Sequence, residues 1–174
     1  MTHNHDITGW TLCQVVEVPG EPVGKGRPRF NRATGRPYTP AKTVAFEKKV
    51  GWLTRNAPID GPVRVEILAV FSRPQKLMAK RHPDGLLPYA GRTDLDNVVK
   101  AANDGIQGRA FHNDRQVIDI TARARYAERS NKARTEIKIY AYQPTNQRQQ
   151  EPTNDEQAAD MAPSAAGSGD SRSN

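Results

Sequence analysis

The sequence predicts an α+β domain: a small mixed sheet of about four strands with two helices packed on one face. Three observations predict it. Four apolar runs alternate with the period of a strand and two others repeat with the period of a helix. Their order along the chain is β-loop-α-β-loop-α-β-β. At 174 residues, 36% of them hydrophobic, there is material for one core of ordinary size and not for two.

The first run, Trp10 to Val18, places Trp10, Leu12, Val16 and Val18 on one face, with Gln14 the exception. Pro19 to Pro40 then has no period and carries Lys25, Arg27, Arg29, Arg32 and Arg36 among prolines and glycines. A loop of this length inside a compact domain is usually functional or disordered. Thr39 is placed to cap a helix and Pro40 to occupy its first position. Phe46, Val50 and Leu53 continue at helical spacing, so residues 40–55 read as an amphipathic helix. Val63, Val65, Ile67, Ala69 and Phe71 alternate strictly, while Leu68 and Val70 make the other face partly apolar. A strand apolar on both faces belongs in the middle of its sheet.

A second basic loop, Ser72 to Thr93, carries Arg73, Lys76, Lys80, Arg81 and Arg92. Leu95, Val98, Val99, Ala102 and Ile106 define a second helix, which Gly108 stops. Ile118 to Tyr126 and Thr135 to Ala141 alternate on either side of a turn at Glu128–Lys132 and read as a hairpin. From Gln143 the apolar signal ceases. Residues 1–142 therefore form the domain, and residues 143–174 read as a disordered acidic tail.

Charge narrows the function. Lys and Arg number 26 against 19 Asp and Glu. Residues 1–142 carry +10 and the tail −3. A small basic body points toward a polyanion such as nucleic acid. The single cysteine, Cys13, excludes a disulfide framework and a Cys-rich zinc site. With no apolar run near membrane-spanning length and no secretory pattern at the start, the expected location is cytoplasmic, with no membrane partner.

The chemistry concentrates in Asp94-Leu95-Asp96-Asn97-Val98-Val99-Lys100. One aspartate at a helix start is accounted for as an N-cap; two are not. Asp96, Lys100 and Asp104 fall at i, i+4 and i+8, and a solvated salt-bridge ladder is the bland reading of that row. Asp114 precedes the third long strand, and the helix with a short return loop is expected to bring it to the same end of the sheet. Three converging carboxylates repel one another unless a cation sits among them. Hard oxygen ligands suit Mg2+, or alternatively Mn2+. Such an ion polarises a phosphodiester and generates hydroxide from bound water, and Lys100 is placed to neutralise charge developing on the phosphate.

These residues resemble the RusA-type Holliday junction resolvases, common in bacteria and their phages. Arg92 to Gly105 is similar to the family's Asp-x-Asp-Asn-x-x-Lys signature and the helix after it. Asn113-Asp114-Arg115-Gln116-Val117 resembles its second acidic block. Pro19 to Arg29, with Tyr38-Thr39-Pro40, is similar to the start of phage-borne members. The likeness runs from about Val16 to Tyr140 in the same order. It implies a homodimeric, Mg2+-dependent endonuclease that cuts four-way DNA junctions in recombination and repair. By the same resemblance, Asp94, Asp96 and Asp114 are the metal-binding catalytic acids and Lys100 the basic catalytic residue. One departure stands out: the family's second block often has two adjacent acids, whereas here Asn113 precedes Asp114.

Other signals were weighed and set aside. Gly20 to Gly26 is one residue short of a phosphate-binding P-loop and lacks its Ser or Thr. Asp84 with Glu136 and Lys138 mimics a restriction-enzyme-like set, but the acid and the Glu-x-Lys lie far apart. His112, near Asp114, reads as a half-exposed loop histidine rather than a phosphate contact. Phe30, alone among the arginines, either tucks back as an anchor, which is favoured, or wedges against exposed base faces.

The reading is thus a metal-dependent, structure-specific endonuclease for branched DNA. Lys25, Arg27, Arg29 and Arg92 are its expected DNA contacts. The alternatives are a nuclease for flaps or forks, or a non-catalytic binding module. Because residues 143–174 lack core-forming side chains, truncation after Tyr142 is expected to preserve folding and cleavage. Loss of the circular-dichroism signal on truncation would instead make the tail structural.

Overall fold

The computed structural model describes residues 9–144. The acidic segment from 145 onward lies outside the described residues, and so does the question of its order. β4 (Val63–Phe71) organises the sheet, since most of its residues are buried on both faces. A strand buried along most of its length needs partners along both edges, and β4 has them. β7 (Arg134–Tyr142) runs antiparallel along one edge and β6 (Val117–Tyr126) parallel along the other. β1 (Trp10–Pro19) adds to β7, and the two-residue β5 (Leu87–Pro88) adds to the end of β6. The strand order is β1-β7-β4-β6-β5.

Two expectations change. β6 and β7 do not form a hairpin: β4 lies between them, and residues 127–133 step over its end. Ala127 N–H donates to the Phe71 carbonyl at 2.8 Å, tying that step to the strand it crosses. The first basic loop also has structure. β2 (Arg29–Phe30) and β3 (Pro37–Tyr38) pair Arg29 with Tyr38 and Phe30 with Pro37, making a small wing.

α1 (Ala41–Leu53) and α2 (Leu95–Ile106) cover one face of the sheet. α1 starts one residue later than expected, with Pro40 rather than Thr39 in the capping position and no side-chain cap. Pro40 is held extended at φ −54° and ψ 136°, so the helix begins where its geometry permits. Phe46 and Val50 of α1, with Ala101, Ala102 and Ile106 of α2, pack on Val16, Val65, Ile67, Ile137 and Ile139. The other face is polar: Arg64, buried within it, pairs with Glu66 and Asp119, each at 3.3 Å.

The direction of α2 matters most for function. Leu95 and Val98 at its start pack with Ala69, Phe71, Ala124 and Tyr126, the C-terminal ends of β4 and β6. Ile106 and Phe111 at its far end join Val63 and Val117, where those strands begin. α2 therefore runs antiparallel to both strands.

The helices cross closely. A Cβ on Gly105 would lie 2.6 Å from Val50 Cβ and 3.0 Å from the Glu47 carbonyl. Gly105→Ala is thus expected to destabilise the domain by about 1–3 kcal/mol through overpacking, although alanine is the better helix former. A lowered urea midpoint checks this; an unchanged midpoint would show that the crossing has slack.

Candidate active site

At the start of α2, Asp94 occupies the N-cap position with extended geometry, yet its side chain makes no cap hydrogen bond. Its carboxylate instead accepts from the Asn97 side-chain amide at 3.4 Å, a weak contact. Asp96 lies in the first turn, where the Lys100 ammonium approaches it to 3.0 Å. Lys100 and Asp96 side chains are 62% and 64% exposed, so this pair contributes little to stability and remains accessible. The Lys100 hydrogen bond holds the Asp96 carboxyl below its ordinary range. The expected ladder stops there, because Asp104 pairs with Lys25 instead.

Asp114 is placed elsewhere. It opens a short 3₁₀ turn, Asp114–Gln116, ahead of β6, and is exposed. Asn113, where the family pattern often has a further acid, caps that turn by accepting from Arg115 N–H at 3.0 Å. Gln116 reciprocates by accepting from the Asn113 N–H at 2.9 Å. Asn113 therefore has a structural task, one that its side-chain oxygen alone performs.

The expected convergence of three carboxylates does not occur within the chain. The return loop after α2 is short, and because α2 runs antiparallel to β6 it ends where β6 begins. Asp94 and Asp96 sit at one end of α2 and Asp114 beyond the other. A 12-residue helix spans about 18 Å, which sets the scale of that gap. Among the described residues no group of three or more metal-ligating side chains forms. The donor chemistry at Asp94 and Asp96, two exposed carboxylates at a helix start, suits part of a hard-cation site.

The basic residues separate into two kinds. Lys25 is pinned between the helices, bonded to Glu47 of α1 at 2.6 Å and to Asp104 of α2. Partial burial works to lower its pKa, but the hydrogen bonds to Asp104 and Glu47 outweigh this and raise it. Its backbone N–H also donates to the Asn97 carbonyl at 2.7 Å. Lys25 is thus a structural pin as well as an expected DNA contact. Arg27, Arg29, Arg32 and Arg36 are exposed on or beside the wing, and Arg92 is exposed two residues before Asp94. None of these five forms an ion pair among the described residues.

The wing corrects one reading. Phe30 is 71% exposed, so it does not tuck back as an anchor. Arg73, from the second basic loop, is also withdrawn from the surface role: it donates to the carbonyls of Ala127, Pro83 and Asp84 at 2.7–2.9 Å. No pattern in the sequence distinguishes that arginine from its neighbours. His112 is exposed and faces Asp60 at 3.2 Å.

An α+β domain with exposed carboxylates at a helix start, beside an arginine-rich wing, has the build of a nucleic-acid-processing enzyme. The family model described as endodeoxyribonuclease RusA matches residues 19–140, and the chain belongs to that family. It is also similar to the uncharacterized protein YqaN of Bacillus subtilis (strain 168), with 30% identity over 127 residues. That match covers 67% of this chain and 89% of YqaN. The activity that goes with the family is DNA endonuclease chemistry.

If Lys100 is what depresses Asp96, Lys100→Ala should return that carboxyl upward toward its ordinary value of 3.8. Below its pKa the carboxylate is protonated, so the variant should lose the Asp96 charge at a higher pH than the parent. Carboxyl NMR titration of the two proteins reads the shift, and superimposable curves would remove Lys100 as the cause.

Proposed function

We propose that this protein is a divalent-metal-dependent endonuclease that resolves four-way DNA junctions as a homodimer, with each active site shared between two copies. The observation that carries this is the exposed Asp94 carboxylate, which makes no ion pair among the described residues. It stands at a helix N-cap without capping, in the segment that matches the family. A binding module gains nothing from exposed acids facing phosphate, whereas a metal-dependent hydrolase requires them.

Sharing follows from the separation of the acids. Asp94 and Asp96 of one copy, with Asp114 of the other, make the oxygen donor set that one chain lacks. β6 offers the surface. Beyond β4 it is paired only at Arg125 and Tyr126, by β5, which leaves Val117–Ala124 with an open edge among the described residues. Ile118 and Ile120 on that stretch are 66% and 44% exposed. An open, partly apolar edge is a template for another strand. Two copies of β6 paired antiparallel about the middle of this stretch set Asp114 of one opposite the Tyr126 end of the other. That is the end where α2 begins, with Asp94 and Asp96. A two-fold dimer then presents two equivalent sites to a substrate that needs two symmetric cuts.

In this reading Asp94, Asp96 and Asp114 hold Mg2+, with Mn2+ as the alternative. When bound, the ion polarises the phosphodiester and lowers the pKa of a coordinated water. Lys100 turns from Asp96 toward the phosphate and neutralises its developing charge. Arg92 and the wing arginines grip the neighbouring backbone. Such work on DNA belongs in the cytoplasm of a bacterial or phage-infected cell.

The test uses end-labelled four-way, flap and linear DNA, with Mg2+ and with chelator. Chelator should abolish cutting and spare binding. Asp94→Asn, Asp96→Asn and Asp114→Asn should each reduce junction cleavage by about 100-fold or more. Binding should hold or tighten, since a charge facing phosphate is removed. Lys100→Ala should weaken both binding and cleavage. Mixing Asp94→Asn with Asp114→Asn protein discriminates the shared site: the mixed dimer keeps one intact site and should regain single-strand nicking. No recovery on mixing would place each site within one chain. Faster cutting of flaps than junctions would move the substrate, and binding without metal-dependent cutting would favour the binding module.

A further inference from the structure

The wing exposes an aromatic side chain, Phe30, in the midst of its arginines. From Pro22 to Phe46 the chain contains six Lys and Arg residues and no Asp or Glu. Five of them are exposed, Lys42 on α1 and the four arginines Arg27, Arg29, Arg32 and Arg36, and Phe30 among the arginines is 71% exposed. A phenylalanine left in water on a two-stranded ribbon does nothing for the fold, because the core lies beneath the helices. Its surroundings select the partner. A dense cationic shell with no acid suits a polyanion, and the most exposed aromatic surface within it, Phe30, suits a flat apolar face.

The ribbon is not a loose appendage. Asn31 N–H donates to the Arg36 carbonyl at 2.9 Å, and Gly35 N–H donates to the Asn31 carbonyl at 2.8 Å, closing its turn. Its root is held where no other residue fits: a Cβ on Gly26 would lie 2.8 Å from Pro40 Cγ. Gly26 N–H donates to the Thr43 hydroxyl at 3.1 Å, and Lys25 N–H donates to the Asn97 carbonyl. Asn97 belongs to the first turn of α2, between Asp96 and the helix body. The wing is therefore braced against the turn that carries the catalytic acids.

We infer that the wing recognises the branch point itself, with Phe30 stacking on a nucleobase face left open there and the four arginines holding the flanking phosphates. This rests on the branched-DNA reading above and names how that site selects its substrate. Phe30 has no hydrogen-bonding group and cannot read base edges. In an intact duplex each base face is covered by its neighbour, and opening one costs unstacking energy. At a branch, where helices end and strands exchange, a face is available without that cost. Stacking on a nucleobase then rewards branched over linear DNA, independently of sequence. Because the root is tied to α2, engagement at the branch also fixes where the cut strand lies relative to Asp94 and Asp96.

The test uses the full-length protein in chelator, so that cleavage plays no part. Affinities are measured for a four-way junction and a linear duplex of the same sequence, and a second junction carries 2-aminopurine in a branch-point pair. For the parent protein, binding should favour the junction and change the 2-aminopurine fluorescence. Phe30→Ala should lower the junction-over-duplex ratio by about tenfold and abolish the fluorescence change. Duplex affinity, carried by the arginines, should fall far less and reports that the variant is folded. Phe30→Trp should retain both signals, whereas Phe30→Leu, apolar but not flat, should not rescue the fluorescence change. An unaltered ratio and fluorescence change in Phe30→Ala would overturn the inference while leaving the nuclease reading intact. So would a Phe30→Ala protein that sediments as a monomer where the parent is a dimer, since Phe30 would then belong to the contact between copies. A parent protein with no preference for the junction would overturn the branched-DNA reading itself.

Discussion

The crossing of the two helices is the constraint on which the rest of the structure depends. Gly105 of α2 meets Val50 and the Glu47 carbonyl of α1, and a Cβ on Gly51 would stand 3.0 Å from the Gly105 carbonyl. Only glycine on both sides lets the helices approach so closely and still lie together on one face of a narrow sheet. Glu47 and Asp104, one from each helix, then close on the same Lys25. Threading that lysine between the helices carries the chain past the start of α2 and seats its backbone on Asn97. The wing, the acidic turn and the sheet hold fixed relations to one another because of this crossing.

The overall positive charge overstates what is free to meet a polyanion. Lys25 is spent between Glu47 and Asp104, and Arg134 between Glu128 and Glu136. Arg64 is buried between Glu66 and Asp119. Arg73 gathers loop carbonyls so that the segment between β4 and β5 keeps its shape without a core of its own. Arg27, Arg29, Arg32 and Arg36 on or beside the wing, with Arg92 before Asp94, form no ion pair among the described residues, and exposed cations such as Lys48, Lys76 and Lys138 stand unpaired elsewhere on the surface. Structural pairing thus withdraws part of the positive balance and leaves the wing arginines free.

The periodicities carried most of the fold. Alternation located the four long strands within a residue or two. The apolar residues on both faces of β4 gave its central place. The same reasoning misassigned β6 and β7 because adjacency in sequence is a weak guide once a central strand needs two partners. β7 matches β4 with Ile137 and Ile139 on the helix-covered face, and β6 takes the other edge, so the two cannot also pair. The acidic turn was legible from its residue types, since two aspartates exceed what one helix start uses. Its relation to Asp114 was not, because spacing says how far apart residues lie along the chain and not which way the helix between them runs. Phe30 was misread as an anchor for a related reason. An apolar residue in a loop carries no period, and only the ribbon geometry shows that there is nothing beneath it to bury against.

The direction of α2 has a further consequence for an enzyme of this kind. A basic protein with three convergent acids in one chain would carry a complete hydrolytic site whenever it met DNA, duplex included. Here Asp94 and Asp96 lie at the start of α2 and Asp114 beyond its far end, ahead of β6. In the shared-site reading, cutting competence arises only in the dimer, and it arises twice, at positions related by the two-fold axis. A four-way junction has the same symmetry. The wing is braced to the acidic turn of its own copy through Asn97, so in the same reading recognition at the branch and assembly of the site would be linked rather than act as separate filters. In that reading, selectivity for a symmetric branched substrate follows from chain topology: one copy alone would lack a complete site, and two copies at a branch would carry two.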